Sequence, residues 1–217
     1  HDTHPTGWAC GAYSADLPGV RIKDSTLIAT AGCSGFSCVD GVPKIDEDPA
    51  IDDSTLTTFG DVPWMDLTGL ANKVIGPGTY RVEPTFAGAD CNLNDQTNWG
   101  DPLNPAGPCG SYFPVIYATG NITVNGVQGQ GILLVDGNLD VQGGFEFYGP
   151  VIVRGALSTQ GTGGHFNGGV IAANVDLDQS SVLGDAMVTY SSCAVARAVN
   201  GAASGAKLKE RSWVNLN

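Results

Sequence analysis

The stretch that decides the fold begins with PVIYATGNITV at residues 114–124, and similar segments follow it four times. These are GILLVDGNLDV at 131–141, PVIVRGALSTQ at 150–160, GVIAANVDLDQ at 169–179 and AMVTYSSCAVA at 186–196. Their first residues therefore lie 17, 19, 19 and 17 positions apart. Each segment runs from Gly, Pro or Ala through mostly apolar residues to a small or polar corner. Such a repeat, with one β-rich unit per period, is typical of a solenoid whose coils stack on one another.

We therefore expect a mainly β protein, a parallel β-helix of about five coils with a covering helix and a C-terminal capping helix. Residues 1–217 are predicted to form a single domain. Residues 1–113 would be a loop-rich N-terminal segment with one helix, and residues 114–217 the solenoid core and its cap. The uneven repeat length favours a right-handed helix over the strict hexapeptide of left-handed ones.

Stacked coils should bring equivalent residues into columns along the sheet. The column expected to point into the core consists of Val115, Tyr117, Ile132, Leu134, Val151, Val153, Val170, Ala172, Met187 and Thr189. The alternate column is also apolar and consists of Ile116, Leu133, Ile152, Ile171 and Val188. Strands that are apolar on both faces are covered on both faces. A further column would stack Phe147, Phe166 and Leu183.

Two helices are predicted to provide cover. The segment DVPWMDLTGLANKVI at 61–75 has Pro63 in its first turn and an apolar stripe from Trp64 to Ala71. A second helix, CAVARAVNGAA at 193–203, would close the open end of the solenoid. Near the termini, GVRIKDSTLIAT at 19–30 alternates like a strand, and KLKERSWVNLN at 207–217 is expected to dock back as a final strand.

The charge balance limits the possible partners. The chain has 10 basic and 22 acidic residues and a formal net charge of −12. Nucleic-acid binding needs clustered Lys and Arg, so this composition argues against a nucleic-acid partner. No apolar run is long enough to span a membrane. The expected partners are other cell-surface proteins or proteins of a membrane complex.

The cysteines favour an oxidising compartment. Their number is even, at six, in a chain with few lysines, which suggests an extracytoplasmic setting: the cell surface, the periplasm or the secreted state. If the chain is exported, we expect residue 1 to follow a processed leader. Six cysteines can pair in many ways. Short spacing favours Cys33–Cys38 and Cys91–Cys109, which leaves Cys10 and Cys193 as the third pair.

The acidic segment IDEDPAIDD at 45–53 is the best candidate for a metal site. Asp46, Asp48, Asp52 and Asp53 supply closely spaced carboxylate oxygens, which are the ligands that Ca²⁺ prefers. The segment lacks the EF-hand spacing with its central Gly and terminal Glu. The alternative is a solvated acidic loop. Calcium is the one cofactor considered for this segment.

No catalytic residue is predicted, and we expect a protein that is not an enzyme. A carbohydrate-active enzyme on a β-helix is the alternative, since paired carboxylates suit glycoside hydrolysis. The charged residues within the repeats are Asp136, Asp140, Arg154, Asp176 and Asp178. The four aspartates occupy corners, where Asp is a turn former. A copper site at His1 and His4 would need another well-placed His, and His165 lies in a Gly-rich corner.

Roughly the second half of the chain carries a family resemblance. It rests on GQGILLVDGNLDVQGGFEFYGPVIVRG at 129–155, GGVIAAN at 168–174 and YSSCAVARA at 190–198. These segments resemble the PilX-like proteins, bacterial cell-surface proteins associated with type IV pilus assembly. In that family a prepilin-type helix, which this sequence does not contain, precedes a Gly-rich β-helical domain.

The resemblance implies a structural, adhesive or assembly component of the cell surface, with no catalytic residues to carry over. The alternative is an accessory extracytoplasmic subunit docked on a membrane protein complex. Such a subunit should carry an apolar or conformationally fixed docking patch, at the N-terminal segment or on the alternate apolar column.

Overall fold

The structure is a computed structural model that describes residues 2–31, 36–50, 58–59, 62–160, 164–178 and 186–205. It is mainly β, with two α-helices, as predicted. Its elements are β1 (Val20–Ile22), a 3-10 helix (Ser25–Leu27), β2 (Ile28–Ala31), β3 (Val39–Asp40), β4 (Ile45–Glu47), β5 (Thr58–Phe59), β6 (Val62–Pro63), α1 (Trp64–Gly69), β7 (Lys73–Ile75), β8 (Gly78–Val82), β9 (Phe86–Ala87), β10 (Asp90–Cys91), β11 (Val115–Ala118), β12 (Ile122–Gly126), β13 (Gln128–Gln130), β14 (Ile132–Val135), β15 (Leu139–Gln142), β16 (Glu146–Gln160), β17 (His165–Asp178), β18 (Met187–Tyr190) and α2 (Ser192–Gly205).

A row of parallel strands, which we call the first row, runs in the order β7–β11–β14–β16–β17–β1–β4. Val115 of the first repeated segment pairs with Ile132 of the second. Leu133 pairs with Val151 of the third segment, and Val151 pairs with Val170 of the fourth. The repeat seen in the sequence is therefore the spacing between hydrogen-bonded neighbours in a large parallel sheet.

Two further rows of parallel strands share the long strands β16 and β17. In the second row β8, β12 and β15 lead to the C-terminal part of β16, and β2 pairs with β17. In the third row β13 pairs with the N-terminal part of β16, and β18 and then β3 follow β17. Residues before position 113 thus contribute β1–β4, β7 and β8 to the same sheet. Side chains from all three rows form one large buried cluster.

The register of the first row differs from the predicted columns by one residue. Ile116, Leu133 and Val151 all lie in the core cluster, whereas Leu134 and Ile152 pack in a separate cluster on the opposite face. The predicted inward column is therefore wrong for the first two strands. In the predicted column Val151 is the neighbour of Leu134, whereas in the structure Leu134 pairs with Ile152. A slip of one residue moves every side chain of a strand to the other face.

Helix α1 is present but shorter than the predicted helix over 61–75. It ends at Gly69, and Lys73–Ile75 pairs as strand β7 with β11 instead of continuing the helix. Pairing with the sheet therefore overrides the local helical pattern. Trp64 is buried against Val115, Leu134 and Ile152, so α1 covers part of the outer face of the first row, as expected.

The place expected for the last repeat is taken by the N-terminal segment. Val170 pairs with Val20 of β1, which comes from the opposite half of the chain. Strand β18 pairs instead with the start of β17, so that Phe166 lies opposite Val188. Met187 and Thr189 therefore do not extend the predicted inward column. Phe147 does pair with Phe166, as predicted, while Leu183 lies outside the described residues.

Helix α2 was predicted to close the open end of the stacked coils, but it lies along the sheet instead. It packs on β14, β16 and β17, the middle strands of the first row. Its residues Ala194 and Ala198 are buried against Trp8, Phe113 and Tyr148. The predicted final strand at 207–217 lies outside the described residues.

Candidate binding groove

The acidic segment predicted to bind calcium is partly neutralised by an arginine. Arg21 in β1 places its Nε 3.2 Å from Asp46 Oδ2 and its Nη2 2.5 Å from Asp48 Oδ2. A guanidinium thus lies against both carboxylates. Asp52 and Asp53 lie outside the described residues, so the calcium site remains a prediction. Within the described ranges, no group of three or more His, Cys, Asp or Glu side chains could hold a metal ion.

The same arginine lines an apolar groove of about 350 Å³ on the outer face of the first row. Ile152, Ile171 and Val195 of α2 also line it. Leu17, which is 50% exposed and precedes β1, is a further apolar lining residue. The other lining residues are Pro18, Gly19, Asp46, Pro150, Val151, Gly168, Gly169, Val170 and Tyr190. The groove thus joins the N-terminal segment to the alternate apolar column.

The groove exists because the two covering helices leave part of the outer face of β17 exposed. Trp64 of α1 packs on Val115, Leu134 and Ile152, which lie toward the β7 edge of the row. Helix α2 packs most closely on β16, and Gly168 and Gly169 next to Ile171 carry no side chains to fill the space. Ile171 consequently remains only partly buried.

Acidic groups outnumber basic groups when the residues that line the groove are taken together with Asp48 beside them. One guanidinium, that of Arg21, faces the two carboxylates of Asp46 and Asp48. Burial raises the pKa of the Tyr190 phenol on the groove wall, and the carboxylates of Asp2 and Asp16 raise it further. The phenol is therefore neutral at physiological pH, and the site combines an apolar lining with one surplus negative charge beside it.

A second polar cluster contains two of the residues considered for catalysis. Arg154 Nη1 donates to Asp136 Oδ1 over 2.5 Å, and the Tyr117 hydroxyl donates to Asp136 Oδ2 over 3.2 Å. The Arg154 guanidinium also lies 5.8 Å from the centre of the Trp64 ring. Burial raises the pKa of Tyr117, and the Asp136 carboxylate raises it further. These contacts hold the first residue of α1 on the sheet and leave Asp136 occupied as an acceptor.

The other charged residues of the repeats are dispersed. Asp140 accepts hydrogen bonds from Ser158 Oγ at 3.1 Å and from Gln142 Nε2 at 2.8 Å, on the second row. Asp176 and Asp178 lie in β17 of that row. The cluster around Asp136 belongs to the first row, so the structure does not bring all the predicted polar residues together.

The N-terminus is fastened to the start of α2. Asp2 Oδ1 accepts from the Ser192 backbone amide at 2.8 Å, and Oδ2 accepts from Ser192 Oγ at 2.6 Å and from the Ser14 amide at 2.7 Å. This carboxylate therefore acts as a helix cap supplied by a distant part of the chain. His4 stacks on Tyr13, with ring centres 3.9 Å apart, while His1 lies outside the described residues.

The Asp2 cap is expected to make stability depend on pH. Burial alone would raise the pKa of Asp2, but hydrogen bonds from Ser192 and Ser14 outweigh it and lower the pKa below 3.8. The cap therefore stabilises the fold fully above about pH 4 and loses its effect as acid protonates the folded state. We expect Asp2→Asn to lower the free energy of unfolding by about 1–2 kcal/mol at neutral pH.

Urea unfolding at about pH 7 and about pH 2.5 measures this effect, and the difference from the wild type should be smaller at the lower pH. Asp90→Asn in the exposed β9–β10 hairpin is the matched control and should change little at either pH. A difference for Asp2→Asn that is equal at both pH values would contradict the ionic role of the cap.

Two predicted disulfides are confirmed. Cys10 is bonded to Cys193 across a sequence separation of 183, and Cys91 is bonded to Cys109 across a separation of 18. Cys38 is also disulfide-bonded, but its predicted partner Cys33 lies outside the described residues. The described cysteines are thus all oxidised.

Sequence reasoning did not identify the buried lysine that organises residues 83–112. Lys73 Nζ donates to the carbonyl oxygens of Leu93 at 3.0 Å and Asp95 at 2.6 Å, and lies 5.5 Å from the centre of the Tyr112 ring. Burial lowers the pKa of Lys73, although the Asp95 carboxylate acts in the opposite direction. Gln130 assists by donating to three carbonyl oxygens of the same segment. In the sequence, the only indication of this role was a lysine next to the apolar residues of the short strand Lys73–Ile75.

Comparison with known protein families, curated proteins and solved structures returns no match to this chain. Neither helix in the described part of the chain has the length and apolar character needed to cross a membrane.

Proposed function

We propose that this chain is a non-enzymatic structural or interaction protein, built as a parallel β-solenoid, that works outside the cytoplasm. The oxidised state of the described cysteines is the main support for a location outside the cytoplasm, because disulfides persist in oxidising compartments. The solenoid is supported by three rows of parallel strands that share β16 and β17. A role as a pilus-like or adhesive component of the bacterial cell surface follows the sequence resemblance.

The groove favours a second candidate function, that of an accessory subunit docked on a membrane protein complex. Such a subunit needs an apolar patch at the N-terminal segment or the alternate apolar column, and Leu17 and Ile171 bring both to the groove. The carbohydrate-active enzyme receives less support. Asp136, its best carboxylate, already accepts hydrogen bonds from Arg154 and Tyr117.

The location is tested by counting thiols in protein taken from its native source. Alkylation without reduction, followed by mass spectrometry, should label none of the six cysteines, and all should be labelled after reduction and unfolding. Labelling of half of them or more before reduction would indicate a reducing compartment and overturn the proposed location. Cleavage of a polysaccharide that is abolished by Asp136→Asn would overturn the non-enzymatic role.

A further inference from the structure

We propose that the groove binds a segment of a partner protein that combines a bulky apolar side chain with lysine or arginine. The proposal rests on the proposed interaction function and specifies the chemistry of the partner. It starts from the lining of the groove, where Ile171, Leu17 and Val195 present apolar surface beside the buried Ile152. Large apolar side chains gain most from leaving water, and 350 Å³ accommodates one or two of them.

The second feature of the partner, a lysine or arginine, is inferred from the charge at the groove. Arg21 and Asp46 line the groove, and Arg21 also contacts Asp48 beside it, so these three groups carry one more negative than positive charge. The Asp46 side chain is 40% exposed and can accept a further cation. The whole chain carries a net charge of −12, which attracts basic segments and repels acidic ones over a longer range.

The form of the groove favours a protein segment over an enclosed small molecule. The Leu17 side chain in its lining is half exposed, so the apolar surface of the groove continues to the outside of the molecule. The strands beneath it are already paired on both sides, since β17 has β16 and β1 as neighbours. The partner therefore binds through its side chains on the sheet face and adds no strand to the sheet.

Three synthetic peptides of equal length test this chemistry by fluorescence anisotropy with the full chain. The first carries Leu-Trp flanked by lysines, the second has aspartates in place of the lysines, and the third has Ala-Ala in place of Leu-Trp. We expect the first peptide to bind at least about tenfold more tightly than either of the others. Equal binding of all three peptides, or tighter binding of the aspartate peptide, would overturn the proposal.

Two substitutions on one helix locate the binding site. Val195→Trp fills the groove and should weaken binding of the lysine peptide about tenfold. Val199→Trp, one helical turn away and 44% exposed, is the matched control and should bind like the wild type. Asp46→Asn should weaken binding only about threefold and reduce its dependence on salt. Circular dichroism of each variant establishes that it is folded, and equal binding by both tryptophan variants would overturn the assignment.

Self-association is measured in parallel by analytical ultracentrifugation. Dimers that Val195→Trp abolishes and Val199→Trp leaves intact would overturn the proposal, because the occupant would then be a second copy of the chain. Failure of the proposed location appears separately, as free thiols in the alkylation experiment. The peptide result does not depend on that experiment, so the two ideas can fail independently.

Discussion

Removal of the Cys10–Cys193 disulfide is expected to lower the free energy of unfolding by about 5 kcal/mol. The bond joins residues at a sequence separation of 183, so breaking it releases a very long loop in the unfolded chain. In the chain-entropy model the stabilisation grows with the logarithm of that loop length. Urea unfolding of the double variant Cys10→Ala/Cys193→Ala at neutral pH measures the loss.

The second confirmed disulfide provides the comparison. Cys91–Cys109 closes a much shorter loop, with a sequence separation of 18, for which the same model gives about 3 kcal/mol. The variant Cys91→Ala/Cys109→Ala also loses contacts of Asn98 Nδ2 with the two sulfur atoms, at 3.3 and 3.4 Å. We expect the larger loss of stability for the Cys10–Cys193 variant. The lost Asn98 contacts add to the effect of the other variant, so they reduce the expected difference between the two. A smaller effect for the long loop than for the short one would show that chain entropy does not govern the stabilisation.

Gly149→Ala is expected to lower the free energy of unfolding by about 4 kcal/mol. Gly149 lies in β16 between the third and first rows and has a φ of +135°, which other residues rarely adopt. An added Cβ would overlap the carbonyl oxygen of Gly131, which lies between β13 and β14. Thermal and urea unfolding of the variant both measure the loss.

Gly76→Ala is the matched control because an added Cβ there meets no atom within 4 Å. Its unfolding should differ from the wild type by at most about 0.5 kcal/mol. Similar stabilities for the two variants would mean that the backbone at Gly149 can rearrange, and that the close approach of the strands is not required.

The repeat could be recognised from sequence because each strand of the first row carries its own apolar pattern. The spacing of the segments is a local property of the chain between positions 114 and 179, and the structure uses it directly. The disulfide Cys91–Cys109 was likewise visible as a short spacing around a loop. Features that depend on neighbouring positions in the chain were therefore predictable.

The register could not be fixed because both faces of these strands are apolar. Leu133 and Leu134 are both fully buried, one in the core and one beneath α1. An alternating strand would have revealed its inner face, but two adjacent leucines satisfy either register equally well. The assignment of Val151 to the column of Leu134 followed from this ambiguity.

The groove was only partly predictable, for a different reason. The expectation of a docking patch at the N-terminal segment or the alternate column named the two regions that supply Leu17 and Ile171 to the groove, but it did not single out Leu17. Nothing local in the sequence shows that β1 takes the place next to Val170 or that Val195 lies beside that strand. The groove depends on contacts between residues that are far apart in the chain, and the repeat alone does not reveal those contacts.

The N-terminal strands constrain the order in which a newly made chain can finish folding. Val20 is synthesised long before its partner Val170, and Cys10 precedes Cys193 by a sequence separation of 183. During synthesis or export from the N-terminus, the first strands must therefore wait for most of the chain to emerge. A chain interrupted before Val170 leaves Val20 without its partner in β17, although Ile45 of β4 is already present, and Cys10 with an unbonded thiol. Formation of the Cys10–Cys193 bond thus reports that the chain has been delivered at least as far as Cys193.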